Sequence, residues 1–287
     1  MSIFYVNGDY LPEADAKLPV RDLAILRGYG AFDYLRTYNQ QPFRLDKNVA
    51  RLRRSCEILD LAFPWSDDEL IAIVLETLAQ NLALKESDEY SIRLLVTGGI
   101  SSSNITPDGE PSLMILVQPF TAPSRTLYEN GVKLVSVDLN RLFPDAKSTL
   151  YTPAILAQKK AREQGGIEAL YIDNEGNVLE GTTANIFAIY GNTIVTPPTA
   201  DNILPGITRM TAVELAEEYF TLEIRPLPFS ELLQADEAFI TSANREVMPV
   251  VEVDEHTIGD GKVGEGTQQM MALFREVTQK RAQGLAV

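Results

Sequence analysis

Hydrophobic and polar positions along this chain alternate with two different periods. Residues 46–61 set Val49, Leu52, Cys56 and Leu59 three or four apart, the spacing of one helix face, with Asp46 as the expected N-cap. Residues 67–82 repeat the pattern with Leu70, Ile73, Val74, Leu78 and Leu82, and Ser66 with Glu69 forms a capping-box signature ahead of it. Three more helices are predicted: over 152–164, ended by Gly165-Gly166; over 207–220, opened by Pro205-Gly206; and over 267–280. Apolar runs predict strands over 3–6, where Asn7-Gly8 signals a hairpin, and over 31–38, 91–97, 112–118, 132–138, 168–172, 183–189 and 238–241. Hairpins mixed with helices, and no internal repeat, indicate an α+β protein rather than one doubly wound sheet. Residues 119–125 carry Pro119 and Pro123 and no periodicity. They are the expected linker between a smaller N-terminal α+β domain, 1–118, and a larger C-terminal domain, 126–287.

Composition narrows the chemistry. The 287 residues leave room for one large or two ordinary domains, and 45% hydrophobic with 23% charged residues excludes disordered and low-complexity classes. No apolar run reaches the ~18 residues of a membrane helix. The first residues lack the basic and long apolar regions of a secretory signal, so a cytoplasmic location is expected. With 25 Lys and Arg against 40 Asp and Glu the net charge is −15, a poor match for nucleic acid or an anionic membrane. The lone cysteine, Cys56, permits no internal disulfide and no cysteine-rich metal site. The lone histidine, His256, lies in the polar stretch DEHTIGDGK and reads as a surface residue, which argues against zinc hydrolases and Ser-His-Asp triads. No metal site is expected, and acid–base work falls to Lys, Tyr, Asp, Glu or a cofactor.

Five features carry candidate chemistry. Leu204-Pro205-Gly206-Ile207-Thr208-Arg209 leads into a helix, where unpaired N–H groups and the helix dipole favour an anion; the alternative is an ordinary helix start. The strand end Thr241-Ser242-Ala243-Asn244 offers hydroxyls and amides to the same anion, or merely caps a strand. Lys147 stands between Arg141-Leu142-Phe143-Pro144 and the apolar Leu150-Tyr151 region, surroundings that favour a neutral, nucleophilic amine; the alternative is a solvated loop lysine. Glu180, flanked by Leu179 and small residues, reads as a buried carboxylate in need of a cation, such as a pyridinium nitrogen, or as a hairpin-edge glutamate. Arg27 and Arg93 sit in apolar runs and require anionic partners, either internal acids or a substrate carboxylate.

The segments LRGYGAFDYLRTY, NVARL, AKSTLY, NVLEGTTANIF, ILPGITR and AFITSANREVMPV, in this order, resemble the class IV aminotransferases over nearly the whole chain. These are pyridoxal-phosphate enzymes of fold type IV, among them D-amino-acid transaminases, branched-chain aminotransferases, (R)-amine transaminases and aminodeoxychorismate lyase. The resemblance implies a two-domain fold type IV enzyme, D-amino-acid-aminotransferase-like, with pyridoxal 5'-phosphate in the C-terminal domain. It implies that Lys147 is the Schiff-base and proton-shuttling lysine, Glu180 the partner of the pyridine nitrogen, Tyr151 the residue near the phenolic oxygen and Leu204 the one packing on the ring. It gives the phosphate to Arg51, Gly206, Ile207, Thr208 and the Ser242–Ala243 loop. Three positions depart from the family: Ala243 replaces a phosphate threonine, Leu150 an asparagine and Asn48 a histidine.

The same resemblance bears on the substrate. Branched-chain enzymes carry a tyrosine where this chain has Arg27, and the loop 98–107 lacks the Arg and His of bacillus-type D-amino-acid transaminases. A second, non-bacillus group of D-amino-acid transaminases shares the LRGYG-F-D run and the arginine of the IRLxxTGG strand. There, arginines matching Arg27 and Arg93 hold the substrate carboxylate, the first from the neighbouring subunit of a homodimer. A ping-pong D-amino-acid transaminase using 2-oxoglutarate is therefore expected, with small amino and keto acids as its partners. The branched-chain L-amino-acid aminotransferases are the alternative, because Phe32 and Arg36 fit their F-E-x-[IL]-R pattern. A binding module without catalysis is disfavoured by the joint presence of Lys147, Glu180 and Arg51.

Overall fold

The computed structural model describes residues 2–200 and 202–282, with side chains to residue 280. They form two compact units: one of residues 2–121, 146–151 and 278–282, the other of residues 122–145 and 152–277 apart from 201.

In the first unit, β1 (Ile3–Val6), β2 (Asp9–Pro12), β3 (Gly30–Tyr38), β4 (Gln41–Pro42), β5 (Tyr90–Thr97) and β6 (Ser112–Pro119) build one sheet. Its order is β2-β1-β6-β5-β3-β4, antiparallel throughout. The two-residue period of a strand sorts side chains between its faces. Ala31, Asp33, Leu35 and Thr37 of β3 are buried, as are Ile92, Leu94 and Val96 of β5, whereas Phe32, Tyr34 and Arg36 are half-buried and Arg93 is exposed. Helices α2 (Leu45–Ile58) and α3 (Asp67–Leu84) cover the buried face with Val49, Leu52, Cys56, Leu70, Val74 and Leu78. The capping box of α3 forms: Ser66 Oγ accepts the Glu69 N–H at 3.2 Å and the Glu69 carboxylate accepts the Ser66 N–H at 2.8 Å. Asp46 is not the cap of α2. That place is taken by Arg44 in a left-handed conformation, φ 53°, and Asp46 lies in the first turn, where its charge faces the positive end of the helix dipole.

A short helix, α1 (Leu23–Arg27), is absent from the sequence-based expectations. Buried Asp22 holds it by accepting from the Ala24 N–H at 2.8 Å and the Thr97 hydroxyl at 2.7 Å, and Gly28, φ 67°, ends it. Residues 146–151 were expected in the C-terminal domain. The structure groups them with the first unit, because their backbone is hydrogen-bonded along the start of β3. The Phe32 N–H donates to the Lys147 carbonyl at 2.9 Å, the Thr149 N–H donates to the Gly30 carbonyl at 2.9 Å, and Ser148 bridges Ala31.

The remaining helices are α4 (Arg125–Asn130), α5 (Thr152–Glu163), α6 (Ile207–Tyr219), α7 (Phe229–Leu232) and α8 (Glu265–Ala282). The second unit's strands are β7 (Val132–Asp138), β8 (Glu168–Ile172), β9 (Asn177–Gly181), β10 (Asn185–Tyr190), β11 (Thr193–Thr196), β12 (Thr221–Ile224), β13 (Leu227–Pro228), β14 (Glu237–Ser242), β15 (Glu246–Val253) and β16 (His256–Thr257). They pair in the order β12-β11-β10-β14-β15-β7-β8-β9-β13, with β16 beside β15; β11–β12, β15–β7 and β7–β8 are parallel and the other pairs antiparallel. Every residue of β8 is buried, and so is all of β10 up to Ile189, which is why these strands read as near-continuous apolar runs. His256 is exposed on β16, its Nε2 2.8 Å from the Leu233 carbonyl oxygen. No helix among the described residues is long and apolar enough to cross a membrane.

Candidate functional site

In the first unit the sheet face turned away from α2 and α3 carries two of the three substrate candidates, Phe32 and Arg93. Tyr34 of β3 stands directly opposite Arg93 of β5. The Arg93 guanidinium lies 5.5 Å from the Phe32 ring centre and 5.7 Å from that of Tyr34. Burial pushes the Tyr34 phenol above its ordinary pKa, and the Ser91 hydroxyl, Arg93 and Arg36 pull it back in part. Lys147 Nζ sits 4.7 Å over the Phe32 ring, and the Phe32 and Tyr151 rings meet edge-on with centroids 5.5 Å apart. Lys147 is held by its backbone on both sides: its N–H donates to Ser55 Oγ at 3.0 Å and its carbonyl accepts from Phe32. Lys147, Tyr151, Phe32 and Arg93 thus share one neighbourhood of this unit.

Arg27 ends α1 and is exposed, donating to the neighbouring Leu26 carbonyl at 2.8 Å. Among the described residues neither Arg27 nor Arg93 is ion-paired with a carboxylate, so the internal acids expected of arginines in apolar runs are not their partners. Arg36 is instead packed against aromatic rings, 4.4 Å from the centre of Tyr38 and 3.7 Å from that of Phe120. On the opposite face, α2 presents Arg51 to Asp33, Nε to Oδ2 at 2.8 Å and Nη2 to Oδ1 at 2.8 Å. Neither Asp33 nor Ser55 was singled out by the sequence, because both act across distances that no local pattern encodes.

In the second unit Glu180 of β9 is 95% buried, and its carboxylate is held by hydrogen bonds at both oxygens. Oε1 accepts from Arg141 Nη1 at 2.7 Å; Oε2 accepts from the Leu204 N–H at 3.0 Å and from Asn185 Nδ2 at 3.3 Å. The cation that a buried glutamate demands is supplied within the chain by Arg141, which the sequence offered only as a neighbour of Lys147. Asn185 also donates to the Leu204 carbonyl at 3.0 Å, so β9, β10 and the segment entering α6 are tied together. α6 starts at Gly206 with no side-chain cap, leaving the N–H groups of Ile207 and Thr208 directed outward. Gly206 is required by space: a Cβ there would stand 2.0 Å from Asn185 Oδ1.

Arg209 is buried, donating to the Pro197 carbonyl at 2.8 Å, its Nε without a hydrogen-bond partner among the described residues, and burial pulls its guanidinium below the ordinary arginine pKa. Thr241 Oγ1, near the end of β14, is likewise buried with no partner among the described residues. The Ser242 hydroxyl lies 2.8 Å from Asn244 Oδ1, closing the loop that carries half-buried Ala243. Arg245 anchors that loop to buried Glu168, whose other oxygen accepts the Thr183 N–H.

A family model for amino-transferase class IV matches residues 30–253. The chain belongs to the class IV aminotransferases. It is 36% identical over 284 residues to a Methanocaldococcus jannaschii protein whose name assigns it provisionally as a branched-chain-amino-acid aminotransferase, covering 96% of each chain. It is 31% identical over 287 residues to the D-alanine aminotransferase of Staphylococcus aureus, covering 96% of this chain and 98% of that one. The crystal structure of the Escherichia coli branched-chain amino acid aminotransferase superposes with a TM-score of 0.89 at 27% identity, covering 96% of this chain and 94% of that one.

Class IV aminotransferases use pyridoxal 5'-phosphate, and this chain is a transaminase dependent on it. Its residues fit the group. The uncapped start of α6 suits a phosphate dianion, Gly206 leaves the approach open beside Asn185, and the orphaned Thr241 hydroxyl stands on the neighbouring strand end. The buried Glu180 carboxylate, an anionic acceptor held in place by its neighbours, suits a protonated ring nitrogen.

Proposed function

We propose that this aminotransferase moves the amino group of a D-amino acid to 2-oxoglutarate in a ping-pong reaction. The observation that carries the reading is the state of Arg27 and Arg93: two arginines in apolar runs, neither ion-paired with a carboxylate among the described residues. Arginine is suited to bidentate capture of a carboxylate, and two such residues would serve both an amino acid and a dicarboxylic keto acid. Similarity to the Staphylococcus aureus D-alanine aminotransferase supports it. Similarity to the Methanocaldococcus jannaschii protein supports the branched-chain reading as the alternative.

When bound, pyridoxal 5'-phosphate withdraws electrons from the substrate Cα and carries the amino group between the two half-reactions. In this reading Lys147 would hold the cofactor at its aldehyde and would carry the proton at the substrate Cα, with Phe32 and Tyr151 lining that neighbourhood. The Glu180 carboxylate, held by Arg141, Asn185 and the Leu204 N–H, would keep the proton on the pyridine nitrogen. Leu204 would pack on the ring. Arg51, the Ile207 and Thr208 N–H groups, the Thr208 hydroxyl and the backbone at Ser242 and Ala243 hold the phosphate, and Gly206 admits it. We further propose a cytoplasmic homodimer in which Arg27 serves the neighbouring subunit, as in the group of D-amino-acid transaminases that the sequence resembles.

Arg27→Ala tests the carboxylate role. KM for a D-amino acid should rise by about tenfold or more, the worth of roughly one charge-assisted hydrogen bond, while cofactor affinity stays within about twofold. An unchanged KM would remove Arg27 from the substrate site.

A further inference from the structure

The Arg51–Asp33 pair lies almost wholly out of solvent. Asp33 is fully buried and the Arg51 side chain 10% exposed. The carboxylate grips the Nε–Nη2 edge of the guanidinium with two bonds of 2.8 Å, the geometry that fixes both the direction and the plane of an arginine head group. Asp33 is itself immobilised: Oδ1 accepts from Asn48 Nδ2 at 2.7 Å, one turn of α2 before Arg51, and from the Tyr34 N–H at 2.7 Å on β3. Ser55, one turn after Arg51, donates to the Arg51 carbonyl at 2.8 Å and accepts the Lys147 N–H at 3.0 Å. The same two turns of α2 therefore set the Arg51 head group and the Lys147 backbone.

A buried ion pair is weak support for a fold, because apolar residues of equal volume commonly stabilise as well. What such residues would not supply is a guanidinium locked in one plane. We propose that Asp33 is a positioning residue for Arg51: by holding its Nε–Nη2 edge it fixes the orientation in which Arg51 meets the cofactor's phosphate. It thereby sets the preference of the protein for pyridoxal 5'-phosphate over pyridoxal. This rests on the reading of Arg51 as a phosphate ligand.

The test is the ratio of affinities of the cofactor-free full-length protein for pyridoxal 5'-phosphate and for pyridoxal, from absorbance titrations. Arg51→Gln should lower the ratio; if it does not, the reading of Arg51 fails, and this inference with it. Given that fall, Asp33→Asn should lower the ratio by about tenfold, roughly the worth of one charge-assisted hydrogen bond, with pyridoxal affinity within about twofold of the parent. Added to Arg51→Gln, Asp33→Asn should change nothing further, since Asp33 acts only through Arg51. An unchanged ratio in Asp33→Asn, or equal losses for both ligands, overturns the proposal and leaves Asp33 a fold element. If Asp33→Asn does not fold, Asn48→Ala keeps both charges and removes one tether. It should lower the same ratio by about threefold, a fraction of one hydrogen bond, and an unchanged ratio there overturns the proposal equally.

Discussion

Asp33 and Phe32 are neighbours in sequence and opposites in role, because successive residues of β3 face opposite sides of the sheet. One slip of register would carry Asp33 away from Arg51 and bury Phe32 against α2. The same face as Asp33 buries Cys56 completely, and burial pushes its thiol up to about 12. The thiolate is the reactive form, and burial disfavours it here. Native protein should leave a thiol-specific aromatic disulfide unreacted over a period in which denatured protein consumes one equivalent. Stoichiometric reaction of the native form would contradict this burial.

Elements position the cofactor residues by their ends. α6 offers its first N–H groups only because Gly206 lets the chain pass Asn185. Gly206→Ala should therefore force Asn185 off the Glu180 carboxylate. The expected cost is about 1–3 kcal/mol of overpacking, a fall in Tm of roughly 2–4 °C per kcal/mol for a chain of this size, together with weakened binding of pyridoxal 5'-phosphate. Differential scanning calorimetry with a cofactor titration checks both, and an unshifted Tm with parental affinity would contradict the packing.

Local devices of this kind were legible in the sequence: Ser66 and Glu69 form the capping box that their spacing predicts, and Val49, Leu52 and Cys56 are fully buried along one helix face. Where a distant group takes over, the pattern misleads. The strand expected from residue 183 begins instead at Asn185, since the Thr183 N–H is captured by the Glu168 carboxylate. β15 was not predicted, because Pro249 interrupts its apolar run; the proline is tolerated one residue before pairing with β7 begins at Val250.

At the scale of the whole chain, residues 146–151 leave the second unit's segments to join the first, so sequence order does not follow spatial grouping. The family could be read from ordered motifs; the partners of Glu180 and Arg51 could not, being chosen by contacts between residues 39 and 18 positions apart. The central claim concerns the substrate. The most direct measurement mixes the cofactor-loaded protein separately with D-alanine, D-glutamate, L-leucine and L-glutamate and follows the loss of the cofactor's visible absorption band in a single half-reaction. A D-amino-acid transaminase gives rapid loss with the D-amino acids and little with L-leucine. Loss with L-leucine and L-glutamate alone would contradict that reading, and would place this chain with the branched-chain enzymes.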